Sequence, residues 1–301
     1  MNEADGKSEG GDISEQAAFD AEQHRRESLE RWEGAAPGWA RWQSLMREFA
    51  MPVSEWLVDA LRLSGGETVL DIAAGIGETG FLAAQRLDRG GKVIVADQAE
   101  GMVAASRERA AELQLKNVRF AQLDAESLDL PMASVDAILC RWGVMLMADC
   151  GAALRELRRV LRPEGRIALS VWAAPERNPW VTVPARTAMD HVAPDAGAPA
   201  EAAPGMFALA DEQRLRTTIL DAGFTEVTIE SLALVREHES FDQFWDCTLD
   251  MSSNVHDLVM DCDAQQIEQI TTDLRERMRE YEDESGALRI PAQTLVARAE
   301  A

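Results

Sequence analysis

The sequence predicts an α/β fold: a Rossmann-like, doubly wound sheet of seven strands, mostly parallel with an antiparallel last strand, plus N-terminal helices and helical insertions. Two observations predict it. From residue 64 onward, short runs of β-branched residues alternate with helical stretches, which is typical of parallel βα units. A glycine-rich turn follows the first of these runs, at the position where doubly wound folds bind their ligands.

The amino-acid composition argues against several classes of function. The 301 residues carry 53 acidic against 30 basic side chains, a formal net charge of -23, which opposes binding to nucleic acid or to an anionic membrane surface. No apolar run approaches the roughly 20 residues of a membrane span. The first residues lack the pattern of a secretory signal, so we expect a cytoplasmic protein. The four cysteines form no C-x-x-C pair, and we predict free thiols and no metal site.

The N-terminal part divides in two. Residues 1–16 are polar and acidic, and we expect a disordered tail. Residues 17–63 place apolar side chains at helical spacing, which predicts a helical lid punctuated by Pro37, Gly38 and Pro52.

Residues 64–172 form the predicted cofactor-binding core. Helical stretches at 79–87, 102–113 and 152–161 separate the strands. The predicted strands are 68–72, 92–96, 118–123, 135–140 and 166–171.

The remaining chain alternates between core and insertions. Residues 173–210 are rich in proline and alanine, which predicts an irregular insertion with one short helix near the substrate. Residues 211–301 complete the core. They are predicted to contain a helix at 211–221, a strand at 224–235, a helical insertion at 241–284 and an antiparallel last strand at 288–299.

The turn after the first strand carries the chemistry. Gly75 and Gly77 let the backbone turn sharply and approach a ligand, and the next helix offers its positive N-terminal end. Asp97 ends the following strand, where a carboxylate accepts hydrogen bonds from ribose hydroxyls. Together these features predict an adenosine-containing ligand.

Three classes of protein fit this pattern. Gly75, Gly77 and Gly80 satisfy the G-x-G-x-x-G spacing of an NAD(P)-dependent oxidoreductase. Asp71, just before the turn, would repel a pyrophosphate but would stabilise a sulfonium or ammonium group, both of which S-adenosylmethionine carries. The only tyrosine, Tyr281, lies in an acidic helical segment, which disfavours a Tyr-Lys hydride-transfer site. A non-catalytic cofactor-binding protein also fits, because binding residues do not prove turnover.

An ordered set of motifs carries a family resemblance. The loop at 71–77 and Asp97 are followed by Asp124-Ala125-Glu126, by Asp136 and by Arg-Pro-Glu-Gly at 162–165. With these motifs the chain resembles the class I S-adenosylmethionine-dependent methyltransferases, in the ubiquinone/menaquinone-biosynthesis branch of small-molecule enzymes. The resemblance covers about residues 67–172. Ala73 departs from it, since many members have glycine there.

The resemblance implies S-adenosylmethionine as cofactor and a role for each matching residue. The loop lines the methionine part, Asp97 binds the ribose, and Asp124 accepts the adenine amino hydrogen. Arg141 and Trp142 border the reacting methyl group. The implied cofactor-binding residues are Asp71, Ala73, Gly75, Gly77, Asp97, Gln98, Met102, Asp124, Ala125, Glu126, Arg141 and Trp142.

Methyl transfer is an in-line displacement that alignment and desolvation can accelerate, so it needs no dedicated acid or base. The catalytic residues therefore stay unassigned, with His191, His238 and His256 as weak candidates for a base. The acceptor is expected to be a small hydrophobic or aromatic molecule. Its predicted wall is Trp39, Trp42, Met46, Trp172, Trp180 and Trp245. The oligomeric state is left open, with a homodimer as one option.

Overall fold

The computed structural model describes residues 19–87, 90–194 and 204–301, so the tail expected at 1–16 lies outside the described residues. One seven-stranded sheet organises the chain, in the order β3-β2-β1-β4-β5-β7-β6. The strands are β1 Thr68–Ile72, β2 Lys92–Asp97, β3 Val118–Gln122, β4 Val135–Arg141, β5 Leu161–Trp172, β6 Thr225–His238 and β7 Leu288–Glu300.

The strand directions confirm the predicted fold class. The strands β1 to β5 pair in parallel, whereas β7 is antiparallel to both of its neighbours. The edge strand β6 therefore runs in the same direction as β1 to β5. Their carboxyl ends all meet at one edge of the sheet, where such folds place ligands.

Helices flank the sheet and extend beyond that edge. None of the described helices combines the length and the apolar character that crossing a membrane requires. The helices are α1 Ala21–Arg41, α2 Gln43–Leu61, α3 Glu78–Arg86, α4 Glu100–Glu112, α5 Cys150–Val160, α6 Pro179–Val192, α7 Glu212–Asp221, α8 Phe241–Met251, α9 Ser253–Met260 and α10 Ala264–Met278.

The prolines of the N-terminal part do not end its helices. Helix α1 continues through Pro37 and α2 continues through Pro52, while the chain breaks at Trp42 between them. A proline removes one backbone donor and bends a helix, but packing on both sides can hold the helix together. The expected punctuation at Pro37, Gly38 and Pro52 is therefore wrong.

Two further expectations need correction. The Pro- and Ala-rich insertion contains α6, a helix of 14 residues rather than a short one, with Pro179 in its first turn, where proline is tolerated. The strand β6 extends to His238, three residues beyond the predicted end, because Arg236 and His238 continue the inward-facing alternation with polar side chains. Hydrophobic patterning alone therefore ended this strand too early.

Of the three hydrophobic clusters in the described residues, two position the helices relative to the sheet. The larger core surrounds the sheet, in which every residue of β1 is buried. The smaller core joins α6, α8, α9 and α10 around Phe244, Ile270 and Leu274, and includes Ile290 of β7. Because β7 belongs to the sheet, this helical subdomain is anchored beside the carboxyl ends of the parallel strands.

At the opposite edge of the sheet, where the parallel strands begin, the side chain of Asp136 links three strands. The Asp136 carboxylate accepts the Thr68 N–H at 2.8 Å and the Arg162 guanidinium at 2.5 Å, which joins β4 to β1 and to the start of β5. Among the motifs that carry the family resemblance, Asp136 therefore has a structural role away from the candidate site.

Replacing Asp136 with Ala should lower the free energy of unfolding by about 1–3 kcal/mol, because the Thr68 amide loses its partner. Urea denaturation measures this change. Asp129→Ala is the matched control, since Asp129 is exposed and makes no side-chain hydrogen bond or ion pair to the rest of the described chain. Equal stability of the two variants would contradict the role of Asp136.

Candidate active site

A cavity of about 470 Å³ opens at the carboxyl ends of the parallel strands. Its floor is formed by the turn after β1 and by the ends of β2 and β4, and its cover is formed by α1, α6, α8 and α9. The cavity therefore lies between the ligand-binding edge of a doubly wound sheet and the N-terminal and insertion helices that cover this edge.

The turn after β1 is built on left-handed backbone conformations. Ala73, Gly75 and Gly77 have φ of 52°, 55° and 89°. A Cβ atom on Gly77 would lie 2.5 Å from the Phe81 ring, so α3 can start there only from glycine. Ala73 is the departure from the family pattern, and its left-handed φ explains why glycine suits this position.

Asp71 ends β1 and is buried beneath this turn, with 1% of its surface exposed. Its Oδ2 accepts the Gly80 N–H at 2.7 Å, and a Cβ on Gly80 would lie 2.7 Å from the same oxygen. Its Oδ1 is buried and has no hydrogen-bond partner within the described chain. Burial raises the pKa of Asp71 to about 7, against the lowering effects of Arg141 and of the Gly80 N–H.

Asp97 ends β2 and fastens the turn. Its Oδ2 accepts the Gly75 N–H at 2.8 Å and its Oδ1 accepts the Ala99 N–H at 3.0 Å. Burial raises the pKa of Asp97, although these backbone donors oppose the shift. Each carboxylate oxygen has two lone pairs, so both oxygens can still accept a hydrogen bond from a ligand.

A buried polar chain connects β4 to α2. The Arg141 guanidinium donates to Ser54 Oγ at 2.9 Å, and Ser54 Oγ lies 3.0 Å from Thr79 Oγ1. The positive charge of Arg141 also acts on Asp71 across the cavity wall. Arg141 therefore places a positive charge near the Asp71 carboxyl group in the cavity wall.

Helix α1 is fastened on both sides of the cavity. Arg25 donates to Glu126 at 2.8 and 3.2 Å, and the Glu126 side chain is only 6% exposed. The Glu33 carboxylate accepts the N–H groups of Glu100 at 2.6 Å and Gly101 at 2.9 Å, at the start of α4. A carboxylate at a helix N-terminus is stabilised by the helix dipole, so these contacts hold α1 over the opening.

The aromatic rings of Trp142, Trp172 and Trp180 line another part of the cavity. Trp142 stacks on Trp172 with ring centroids 4.2 Å apart, and Phe49 stacks on Trp172 at 6.1 Å. Trp180 meets Trp172 edge-on at 5.1 Å. Such a cluster provides flat apolar surfaces for a ring-containing ligand.

The structure brings most of the predicted cofactor-binding residues together. Gly77 and Asp124 do not line the cavity, since Gly77 starts α3 and the Asp124 Oδ1 accepts the Glu126 N–H at 2.9 Å. The residues that line it are Asp71, Ala73, Gly75, Asp97, Gln98, Met102, Ala125, Glu126, Arg141 and Trp142.

Of the residues predicted to form the substrate wall, some line the cavity and others do not. Trp39, Met46, Trp172 and Trp180 line the cavity. Trp42 and Trp245 do not: the Trp42 indole N–H donates to Asp250 at 2.7 Å, and Trp245 packs in the smaller core.

The three candidate histidines do not line the cavity. His191 Nε2 lies 3.2 Å from Asp273 on the outer surface, and His256 is exposed. His238 is buried, and burial together with the neighbouring Arg236 charge lowers its pKa to about 3.

Two functional candidates were missed by the sequence analysis. His24 lines the cavity from α1, with Nε2 3.2 Å from the Leu146 carbonyl oxygen, and Arg236 lines it from β6. The four-residue spacing of His24, Ser28 and Trp32 on α1 is the signal that could have placed His24 on this face.

Comparisons with known proteins agree with this geometry. A family model described as a methyltransferase domain matches residues 63–194. The ubiquinone/menaquinone biosynthesis C-methyltransferase UbiE of Escherichia coli is 30% identical over 188 residues, which cover 58% of this chain and 73% of the relative. The nocamycin O-methyltransferase of Saccharothrix syringae is 34% identical over 195 residues, covering 60% of this chain and 67% of the relative.

Among solved structures, the YcgJ protein of Bacillus subtilis superposes with a TM-score of 0.54 at 19% identity. The match covers 81% of this chain and 95% of that one. At this identity the likeness establishes the fold alone.

Asp71 makes the stability of the ligand-free protein depend on pH. Its pKa rises from the ordinary 3.8 to about 7 on folding, so between these values the folded chain binds a proton that the unfolded chain has released. The free energy of unfolding should therefore fall as pH rises from about 4 to 7, by at most about 1.4 kcal/mol per pH unit from this group.

Asp71→Asn should flatten that slope, which urea denaturation at several pH values measures. Asp129→Asn, at an exposed position, should keep the wild-type slope. A D71N slope as steep as that of the wild type would show that Asp71 ionises normally in the folded chain.

Proposed function

The chain belongs to the S-adenosylmethionine-dependent methyltransferases, and on this premise we propose that it methylates a small hydrophobic or aromatic molecule held in the same cavity as the cofactor. The observation that carries the proposal is the buried Asp71 carboxylate, whose Oδ1 has no partner within the described residues. Such an oxygen beside the open backbone of Gly75 fits the cationic part of S-adenosylmethionine.

The remaining cofactor contacts follow from the wall of the cavity. Asp97 would accept the ribose hydroxyls, while Gln98, Met102 and the backbone of Ala125 would surround the adenine. A dinucleotide is the weaker fit, because its pyrophosphate would approach the Asp71 carboxylate.

When bound, S-adenosylmethionine supplies a methyl carbon that accepts an electron pair from the acceptor while the carbon–sulfur pair stays with sulfur. The chain contributes alignment and exclusion of water. The stacked rings of Trp142 and Trp172 and the edge of Trp180 orient a flat acceptor at the mouth of β4. We assign no role in catalysis to His191, His238 or His256, because none of them lines the cavity.

Helix α1 acts as the lid in this proposal. It contributes Arg25, Trp32 and Trp39 to the cavity wall and is held by charged contacts at its two sides. These contacts can open without unfolding the sheet, since Arg25 is 38% exposed. Opening of α1 would admit the ligands, and closure would remove water.

Arg25→Ala should speed dissociation of S-adenosylhomocysteine several-fold, because the bridge to Glu126 no longer holds the lid, and should leave the fold intact. Stopped-flow tryptophan fluorescence measures the rate. Arg26→Ala, one residue along α1, is the control, since Arg26 is exposed and makes no side-chain hydrogen bond or ion pair within the described residues. Equal dissociation rates of the two variants would remove the lid role.

Methyl transfer itself is tested by incubating the protein with methyl-labelled S-adenosylmethionine and a panel of small aromatic and polyketide-like compounds. We expect stoichiometric S-adenosylhomocysteine and a product heavier by one methyl group, detected by mass spectrometry. Cofactor binding without a methylated product would favour the non-catalytic alternative, and binding of a dinucleotide instead would overturn the proposal.

Asp97→Ala should reduce S-adenosylhomocysteine affinity at least about 10- to 150-fold in calorimetry, because the loss of even one charged hydrogen bond to the ribose costs about 1.5–3 kcal/mol. Asp129→Ala is again the matched control, with unchanged affinity expected. An Asp97 variant that binds as tightly as the wild type would refute the assignment of the ribose site.

A further inference from the structure

Arg236 is a buried cation in the wall of the cavity. It lies near the carboxyl end of β6, on the inward face between Leu234 and His238, and only 3% of its surface is exposed. This end of β6 points to the same edge of the sheet as the ends of β1 and β2. The side chain therefore adds a positive charge to the part of the cavity that the insertion helices cover.

The contacts of Arg236 hold it without neutralising it. Its Nε donates to His238 Nε2 at 3.1 Å and its Nη2 donates to Cys247 Sγ at 3.2 Å. His238 accepts through a neutral ring, and burial raises the pKa of the Cys247 thiol, so neither partner carries a negative charge at pH 7. The other N–H groups of the guanidinium have no hydrogen-bond partner in the described part of the chain.

Two aromatic rings flank the same guanidinium. Its central carbon lies 4.7 Å from the ring centroid of Trp180 and 5.8 Å from that of Phe49. Both rings belong to the aromatic cluster around Trp172. Arg236 and Trp180 thus lie side by side in the cavity wall, while Phe49 is buried and does not line the cavity.

Two other arginines in the cavity wall have a carboxylate nearby. Arg25 pairs with Glu126 at 2.8 Å, and the charge of Arg141 acts on Asp71. No carboxylate within the described residues faces Arg236, and burial lowers its pKa. A buried charge without a counter-charge is unfavourable in the free protein, and it becomes favourable when a ligand brings the missing anion.

We propose that Arg236 binds an anionic oxygen of the methyl acceptor, which makes the acceptor a planar aromatic acid bound as its carboxylate or phenolate. This proposal rests on the proposed function, since it names the acceptor class of that cavity. The ring of such an acid would pack against Trp180 and Trp172, which both line the cavity, while its oxygen would accept hydrogen bonds from the free guanidinium N–H groups.

The overall charge of the chain opposes the binding of an anion. The chain carries a formal net charge of -23, which repels an anionic substrate at long range. Within the cavity, however, the local cation restores attraction where the dielectric constant is low.

The test uses a pair of probes that differ in charge but hardly in shape, 2-naphthoate and 2-naphthamide. Both are titrated at pH 7.5 into the full chain saturated with S-adenosylhomocysteine, and the quenching of tryptophan fluorescence gives the dissociation constants. We expect the wild type to bind the carboxylate at least about tenfold more tightly than the amide.

Three variants make the comparison specific. Arg236→Met should abolish the preference for the carboxylate, whereas Arg236→Lys, which keeps the charge, should retain part of it. Arg26→Met removes a positive charge from an exposed position of α1 outside the cavity lining and should keep the full preference. Arg236→Met should also raise the thermal midpoint of the ligand-free protein or leave it unchanged, because a buried charge without a counter-charge is removed.

The outcomes separate this proposal from the proposed function. Wild type that fails to bind S-adenosylhomocysteine contradicts the proposed function itself. If S-adenosylhomocysteine binds, three results overturn the role of Arg236: equal affinity for the two probes, no binding of the carboxylate, or an unchanged preference in Arg236→Met. A lower thermal midpoint with an unchanged preference would assign Arg236 to the fold alone.

Discussion

The hydrogen bond from the Gly80 N–H to Asp71 Oδ2 is the contact on which the site depends. It fixes the first turn of α3 against the end of β1, and it is possible only because residue 80 has no Cβ. The same bond orients the carboxylate so that its other oxygen stays unpaired. This one hydrogen bond therefore sets the position of α3, the shape of the turn after β1 and the orientation of the Asp71 carboxyl group beneath the cavity.

The charge of the cavity is arranged in two regions. Asp71 and Asp97 close the ends of β1 and β2, whereas Arg236 closes the end of β6 on the far edge of the sheet. Between them lie the rings of Trp142 and Trp172. A cationic donor and an anionic acceptor would each meet the opposite charge in its own region of the cavity, where the low dielectric constant strengthens both interactions.

Much of the core could be predicted from the sequence because its signals are local. The turn with Gly75 and Gly77 needs only neighbouring residues, and Asp97 follows from the end of the next strand. His24 and Arg236 were missed for the opposite reason: their place in the cavity depends on how α1 and β6 pack on distant parts of the chain. Trp42 shows the same limit, since its spacing fits a cavity wall but its indole N–H is taken by Asp250.

Specificity in this fold must come from the parts that the sheet does not dictate. In the proposed binding mode, the turn after β1 contacts the donor through its backbone and two carboxylates, and these contacts place no demand on the acceptor. The smaller core, by contrast, holds α6 and α8 against β7 and so sets the distance between Trp180 and Arg236. A change in the packing of these helices would alter the acceptor without touching Asp71 or Asp97, and this separation explains how one sheet can serve different acceptors.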